Sequence, residues 1–298
     1  MSLSQVRHRH VEVEGVDVFY RESVPTRADA PTLLLLHGFP SASHQFRRLI
    51  DVLGDRYHLI APDYPGFGNT TAPADFEYTF DRLADITEGF VRQLGLTRFA
   101  MYVFDFGAPI GFRLAEHHPE RIVGLIVQNG NAYEVGLSDG AREFTALRPE
   151  QDGAEDTIRE LLTLAGTRSQ YETGVADTTA LSPESYLLDQ HFLDRPGRKD
   201  AQVALAFDYK SNIARYPDWQ AWLRKYTPPT LITWGANDPF FPAPGAHAYL
   251  ADLPDAELHL FDTGHFALET HLGEIATLSA AFLDRLSGVH PFETHHAM

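Results

Sequence analysis

The segment Val103-Phe104-Asp105-Phe106-Gly107-Ala108-Pro109-Ile110-Gly111 joins a predicted buried strand directly to a predicted helix. Residues 99–104 are apolar and rich in aromatic and β-branched side chains, whereas the apolar residues from Ile110 onward recur at helical spacing. Small residues flank the corner, where a strand and a helix would crowd each other. This pattern is typical of a nucleophile elbow, a strained turn that raises one side chain above the end of a sheet. The side chain at that corner is Asp105.

The elbow departs from the usual Gly-x-Ser-x-Gly pattern at two positions, since Asp105 replaces the serine and Val103 replaces the first glycine. With aspartate in this place, the segment resembles the aspartate-nucleophile branch of the α/β-hydrolase superfamily, which contains the epoxide hydrolases and the haloalkane dehalogenases. An aspartate after a strand can also serve as the N-cap of the next helix. The motif alone leaves both interpretations open, so the rest of the catalytic apparatus must decide between them.

The composition sets wide limits on function. The 298 residues, 44% of them hydrophobic, can bury a large core, which favours one large domain with an insertion. The formal net charge of -17 argues against binding to nucleic acid or to an anionic membrane surface. The chain has no cysteine, which excludes disulfide and thiolate chemistry, and residues 1–10 lack the apolar core of a signal peptide. We therefore expect a cytoplasmic protein.

Strand-like and helix-like segments alternate along the chain. A predicted hairpin around Gly15 comes first, and the later strands are apolar runs of the kind covered on both faces of a sheet. The hairpin spans residues 9–23, the other strands span 32–36, 57–63, 99–104, 122–127 and 256–261, a further strand with its loop spans 230–239, and helices are predicted at 46–53 and 79–95. This order predicts an α/β fold, and the resemblance implies the α/β-hydrolase fold with a mostly parallel eight-stranded sheet flanked by helices.

Residues 131–226 interrupt this alternation. They contain helical segments, at 156–165, 183–194 and 201–209, and no long strand-like run. The resemblance implies that this insertion is a helical cap over the carboxyl edge of the sheet, although an ordinary all-helical second domain would have a similar pattern. The expected organisation is a core of residues 1–130 and 227–288, a cap of residues 131–226, and a C-terminal tail of residues 289–298. The tail contains histidines, but we do not expect it to form a metal site.

Two further residues complete a predicted catalytic triad. Asp238 lies in the loop of the strand-and-loop run 230–239, and His265 follows the strand at 256–261. The superfamily places its acid and its histidine at these strand ends, in the chain order nucleophile, acid, histidine. Some dehalogenases place the acid after the sixth strand instead, but that position holds Gln128-Asn129, which has no carboxylate. The joint occurrence of Asp105, Asp238 and His265 at successive strand ends favours the nucleophile interpretation over the helix cap.

The sequence His37-Gly38-Phe39-Pro40 follows the strand at 32–36 and resembles the His-Gly-x-Pro loop of epoxide hydrolases. The resemblance implies that the backbone N–H groups of Phe39 and Phe106 form the oxyanion hole, with His37, Phe39 and Phe106 beside the substrate. The alternative is a simple turn at the end of a strand.

The predicted leaving-group donor separates the two enzyme classes. Haloalkane dehalogenases typically have Trp directly after the nucleophile and a second donor from Asn or a cap Trp, whereas this chain has Phe106 and Phe39 at the corresponding positions. Epoxide hydrolases use cap tyrosines, and the segment around Tyr209 resembles their Tyr-Arg-x-x-x-x-Arg stretch. For the second tyrosine we predict Tyr171, with Tyr133 and Tyr186 as alternatives. Trp219 is an expected substrate contact. If the protein is a dehalogenase instead, Trp219 or Trp222 is the expected halide donor.

The sequence thus predicts a hydrolase that opens a hydrophobic epoxide to a vicinal diol through an Asp105 ester, with no metal or organic cofactor. A haloalkane dehalogenase with the same triad is the first alternative, and a ligand-binding homologue without turnover is the second. The expected partner is a small hydrophobic substrate, and the oligomeric state stays open, with a homodimer as one alternative.

Overall fold

A computed structural model describes residues 4–286 and contains one central eight-stranded sheet. The strands are β1 (Val6–Val13), β2 (Val16–Ser23), β3 (Thr32–Leu36), β4 (His58–Pro62), β5 (Phe99–Phe104), β6 (Ile122–Gln128), β7 (Thr230–Gly235) and β8 (Glu257–Phe261). Their order in space is β1-β2-β4-β3-β5-β6-β7-β8, and β2 is antiparallel to both β1 and β4 while all other pairs are parallel. The predicted fold class is confirmed.

Helices cover both faces of this sheet. The α-helices of the described residues are α1 (Arg47–Leu53), α2 (Phe80–Gln93), α3 (Gly107–His117), α4 (Asp139–Thr145), α5 (Ala154–Leu161), α6 (Leu164–Glu172), α7 (Pro183–Leu193), α8 (Arg198–Asp208), α9 (Lys210–Tyr226), α10 (Pro244–Asp252), α11 (Ala267–Thr270) and α12 (Leu272–Leu286). Successive side chains of β3 alternate between the two cores: Leu34 packs with α2 and α3, while Leu33 packs with α1 and α12. The apolar run in β3 follows from this burial on both faces. Within the described residues no helix is long and apolar enough to cross a membrane.

The helices of the insertion, α4 to α9, lie between β6 and β7 in the chain. Two of them, α7 and α8, match the predicted segments closely, but the helix predicted at 156–165 is two helices. The first ends at Leu161, and Thr163 caps the second, because its side chain accepts a hydrogen bond from the N–H of Gly166 at 3.1 Å. The sequence pattern also missed α4 and the long helix α9, which contains Pro217 in its interior. The tail at 289–298 lies outside the described residues.

Several of the attachments between the insertion and the core are hydrogen bonds to backbone carbonyl groups. Arg195 donates to the carbonyl of Gly68 at 3.1 Å, and Arg198 donates to that of Thr70 at 2.7 Å. Gln202 donates to the carbonyl of Gly66 at 3.0 Å. All three acceptors belong to the turn that follows β4, so one turn of the core holds the start of α8 and the residues just before it.

Candidate active site

Asp105 occupies a strained corner between β5 and α3. Its φ is +48°, a left-handed conformation that is uncommon for residues other than glycine. The corner also needs glycine nearby, since a Cβ on Gly107 would lie 2.1 Å from the carbonyl oxygen of Leu36. The N-cap of α3 is Phe106, with no side-chain hydrogen bond to the helix, so Asp105 is not a helix cap. The turn presents the carboxylate to the cavity, as a nucleophile elbow requires.

The loop after β3 forms a cradle for this carboxylate. The N–H of Phe39 donates to Oδ1 of Asp105 at 2.6 Å, and the N–H of Phe106 also hydrogen-bonds to the carboxylate. Gly38 permits the close approach, because a Cβ there would lie only 2.4 Å from the Cβ of Asp105. Two backbone donors therefore converge on the carboxylate of Asp105, as in an oxyanion hole.

Asp238 and His265 complete the chain of contacts expected from the sequence. Nδ1 of His265 lies 2.6 Å from Oδ2 of Asp238, and its Nε2 lies 3.8 Å from Oδ2 of Asp105. The other carboxylate oxygen of Asp238 accepts from the N–H groups of Phe240 and Phe241, at 2.8 and 3.1 Å. The ring of His265 thus has one nitrogen fixed by an acid and the other directed at the nucleophile.

Asn129 is a part of the site for which sequence reasoning assigned no role. Its Nδ2 donates to Oδ2 of Asp238 at 2.7 Å, and its Oδ1 accepts from the N–H of Gly235 at 2.9 Å. These bonds fix the orientation of the amide, and the backbone at Asn129 has a φ of +42°. The sequence signal for a role in the site was its position directly after β6, which lies next to β5, the strand that leads to Asp105. Asn129 therefore positions the acid from the end of β6, the strand next to β7.

Electrostatic interactions shift the pKa values of Asp105 and His265. Burial raises the pKa of Asp105 to about 6, although His265 and the two backbone donors lower it in part. Burial lowers the pKa of His265, but the charge and hydrogen bond of Asp238, together with the charge of Asp105, outweigh burial and raise it. Near neutral pH, Asp105 is therefore mostly ionised despite its burial.

The cavity above Asp105 measures about 520 Å³ and is lined by residues of both the core and the insertion. Most of its lining is aromatic and aliphatic, including Phe39, Phe106, Phe144, Ile158, Leu162 and Phe240. His265 and Tyr209 also line it, and the ring of Tyr209 packs 5.8 Å from that of Phe106. Such a volume and lining fit a small hydrophobic ligand.

Tyr209 lies at the junction of α8 and α9 and is the predicted cap tyrosine that reaches the cavity. Burial, followed by nearby phenolic and carboxylate charges, raises its pKa well above the usual range, so its hydroxyl stays protonated at neutral pH. That hydroxyl lies next to the hydroxyl of Tyr216. The structure therefore brings Asp105, His265 and Tyr209 to one cavity.

Tyr171 is not brought to this cavity. Its ring stacks on Phe266 with centroids 3.9 Å apart, and its hydroxyl donates to Oδ2 of Asp189 at 2.5 Å. The neighbouring residue, Gln170, lines the cavity instead, because successive residues of α6 face different directions. We therefore withdraw Tyr171 from the candidate site.

The other predicted contacts also lie elsewhere. Trp219 stacks on Phe112 and donates its indole N–H to Glu116 at 3.1 Å, while His37 packs against Tyr64 behind the loop that it begins. Neither side chain lines the cavity, so both are withdrawn as substrate contacts. The alternatives Tyr133, Tyr186 and Trp222 also lie outside it, and the hydroxyl of Tyr133 donates to Asp252 at 2.7 Å.

Comparisons with known proteins agree with this architecture. The family described as the alpha/beta hydrolase fold matches residues 31–272. An uncharacterized hydrolase of Saccharomyces cerevisiae is 43% identical over 282 residues, which cover 93% of this chain and 97% of the yeast protein. Haloalkane dehalogenase 2 of Mycobacterium tuberculosis is 30% identical over 268 residues, which cover 86% of this chain and 87% of that protein.

Solved structures show the same fold. The DbeA-M1 loop variant of a haloalkane dehalogenase from Bradyrhizobium elkanii superposes with a TM-score of 0.74 at 24% identity, covering 95% of this chain and 98% of its own. Cfl2 from Burkholderia cenocepacia superposes with a TM-score of 0.78 at 22% identity, covering 93% and 96%. With the family match over residues 31–272 and a site built at the strand ends, the chain belongs to the α/β-hydrolase fold family and is a hydrolase of that fold.

Proposed function

We propose that this hydrolase opens hydrophobic epoxides to vicinal diols through a covalent ester on Asp105. The observation that carries the proposal is the pairing, across one apolar cavity, of a carboxylate nucleophile with a phenol that can donate to a leaving oxygen: Asp105 below and Tyr209 above. A carboxylate can attack a saturated carbon without prior deprotonation. A strained ring that opens to an alkoxide needs a donor for its oxygen, and a protonated phenol supplies one.

In the first step, Oδ2 of Asp105 attacks a ring carbon of the epoxide. This is the carboxylate oxygen that Phe39 leaves free, since Phe39 holds Oδ1. The carbon–oxygen bond of the ring breaks, its electron pair moves to the oxygen, and Tyr209 donates to that oxygen. The product is an alkyl ester whose carbonyl oxygen, Oδ1, already lies in the cradle of backbone donors.

In the second step, His265 removes a proton from a water molecule that attacks the carbonyl carbon of the ester. Esterification prepares His265 for this role, because it removes the negative charge of Asp105, one of the charges that raise the pKa of His265. The imidazole is then more readily neutral and can act as a base. The N–H groups of Phe39 and Phe106 hold the resulting oxyanion, and hydrolysis releases the diol.

Haloalkane dehalogenation is the second candidate, since relatives of that name align along most of the chain. A departing halide needs N–H donors, and within the described residues the three indole groups point elsewhere. Those of Trp219 and Trp234 donate to Glu116 and to the carbonyl of Phe241, and Trp222 does not line the cavity. Gln170 lines the cavity, and its Nε2 has no hydrogen-bond partner, so it is the side chain that could serve a halide. A ligand-binding role without turnover is disfavoured by the complete triad.

Intact mass spectrometry of the variant His265→Gln tests the proposal. We expect the variant to form the ester and fail to hydrolyse it, so incubation with styrene oxide or a terminal alkyl epoxide adds the whole mass of the epoxide. The matched 1-chloroalkane should add nothing, and Asp105→Asn in the same background should abolish the adduct. An adduct from the chloroalkane alone favours the dehalogenase, and no adduct with either probe, in a folded protein that binds them, contradicts covalent catalysis by Asp105.

A further inference from the structure

Tyr209 belongs to a buried chain of polar groups that begins at the end of β6. Asn131 lies at its start and is 2% exposed. Its Oδ1 accepts from the N–H of Tyr133 at 3.2 Å, and its Nδ2 donates to the carbonyl of the same residue at 2.9 Å. Because a carbonyl can only accept and an N–H can only donate, these two bonds fix which end of the amide is which.

The second hydrogen of that amide is directed at Tyr216 in α9. Nδ2 of Asn131 lies 3.1 Å from the hydroxyl oxygen of Tyr216, which is 1% exposed. Since the amide nitrogen can only donate, Tyr216 is the acceptor in this bond. Its own proton is therefore available for another partner, and the hydroxyl of Tyr209 is in contact with it.

Two proton arrangements satisfy this contact. With the cavity empty, Tyr209 can donate to Tyr216. When an oxygen acceptor occupies the cavity, Tyr209 can donate to that acceptor while Tyr216 donates to Tyr209. The second arrangement forms a continuous chain in one direction, from the amide through two hydroxyls to the ligand, and hydrogen bonds in such a chain polarise one another.

We propose that Tyr216, oriented by Asn131, is a positioning residue that donates to the hydroxyl oxygen of Tyr209 while Tyr209 donates to the epoxide oxygen. This inference rests on the proposed function. A second cap tyrosine was expected to support ring opening. The inference gives that supporting role to Tyr216, which does not line the cavity. Tyr216 donates to the phenol of Tyr209, and Tyr209 alone donates to the substrate oxygen.

The chain matters most when the ring opens. As the carbon–oxygen bond breaks, the oxygen gains an electron pair and takes the proton of Tyr209, which leaves negative charge on the phenolic oxygen of Tyr209. Within the described residues, no lysine or arginine lines the cavity to neutralise that charge. The hydroxyl of Tyr216 stabilises it, and the N–H of Asn131 stabilises Tyr216 in turn. In the hydrolytic step His265 gains a proton from water, and its return to Tyr209 through solvent restores the enzyme.

Rapid-quench single turnovers with styrene oxide test the role of Tyr216. We expect Tyr216→Phe to slow ester formation about 5- to 10-fold, the effect of one neutral hydrogen bond on a transition state. Hydrolysis of the ester should keep its rate, since that step uses His265 and the backbone donors. Tyr133→Phe is the matched control, because it also removes one hydroxyl, which donates to Asp252 away from the cavity.

A double-mutant cycle separates positioning from simple packing. In a Tyr209→Phe background, Tyr216→Phe should cause no further loss of the rate of ester formation, because the group on which it acts is gone. A wild-type rate for Tyr216→Phe alone overturns the inference, and so does an equal loss in both backgrounds or an equal loss in both steps. If Tyr216→Phe does not fold, the variant Asn131→Asp is used in its place. Its carboxylate would accept the proton of Tyr216, so that Tyr216 could no longer donate to Tyr209, and ester formation should slow. A wild-type rate of ester formation in Asn131→Asp also overturns the inference.

These outcomes are distinct from failure of the proposed function. If His265→Gln forms no epoxide adduct, there is no ring opening for Tyr216 to assist and the proposed function fails. If the adduct forms and Tyr216→Phe matches the wild type in its rate of formation, only the inference about Tyr216 fails.

Discussion

The two sides of the cavity are built by different means. On the core side, Asp105, Asp238 and the donor at Phe39 follow directly after parallel strands, and backbone N–H groups fix both carboxylates. On the cap side, Tyr209 stands at a helix junction, and its polar contact is another side chain. Strand register places the core groups, whereas helix packing alone places Tyr209. The contrast teaches that a sheet can specify chemistry through its backbone, while a helical cap must do so through side chains.

The largest effect is expected from the core side. Asp105→Asn removes the charged nucleophile but keeps a residue that tolerates a positive φ, so the fold should remain. We expect the rate of ester formation to fall by about 10⁴-fold or more, as when other covalent enzymes lose their nucleophile. Stopped-flow or rapid-quench assays with styrene oxide measure it. A rate of ester formation within about 10-fold of wild type would show that Asp105 is not the nucleophile, and the proposed role of the core side would then be wrong.

A smaller effect is expected when the cap side is broken. Tyr209→Phe removes a donor to charge that develops mainly in the transition state, so ester formation should slow by about 10-fold or more. Hydrolysis of a preformed ester should be nearly unchanged. Single-turnover measurement of both steps checks this division of labour. Equal slowing of both steps would show that the two sides do not act separately.

The pH dependence of ester formation sharpens the electrostatic side of the comparison. The pKa of Asp105 is raised to about 6, so its carboxylate is lost as the pH falls through that value. Ester formation at pH 5 should therefore be about 10-fold slower than at pH 8. Because the charge of His265 lowers the pKa of Asp105, the variant His265→Gln should shift the midpoint to higher pH. A pH profile flat down to pH 4 contradicts a buried carboxylate nucleophile.

The smallest effect on chemistry is expected from Tyr171→Phe. The hydroxyl of Tyr171 bonds to the buried carboxylate of Asp189 and does not line the cavity. Both catalytic steps should stay within about 3-fold of wild type, while the free energy of unfolding falls by about 1 to 3 kcal/mol through loss of a partner for a buried charge. Urea denaturation measures the second quantity. A selective loss of ester formation would return Tyr171 to the site.

The same contrast explains what the sequence could predict. Apolar runs that end in a polar residue located β5, β7 and β8, and the parallel register then brings Asp105, Asp238 and His265 together without further information. Helical periodicity gives no comparable register for the cap. Tyr171 and Gln170 are neighbours in the chain, yet only Gln170 lines the cavity, and their residue types did not reveal this difference. The role of Asn129 could not be read from the sequence, because its side chain holds a carboxylate that lies 109 positions away in the chain.

The attachment of the cap to the turn after β4 has a consequence for how such proteins diversify. Arg195, Arg198 and Gln202 bind carbonyl groups, which every amino acid supplies, so side chains in that turn can be exchanged in evolution without loss of the acceptors. What must be inherited is the path of the backbone, for which Gly66 and Gly68 have positive φ values of +89° and +47°. A lineage that keeps this bend can replace the cap helices, and with them the range of substrates, while the machinery beneath stays the same.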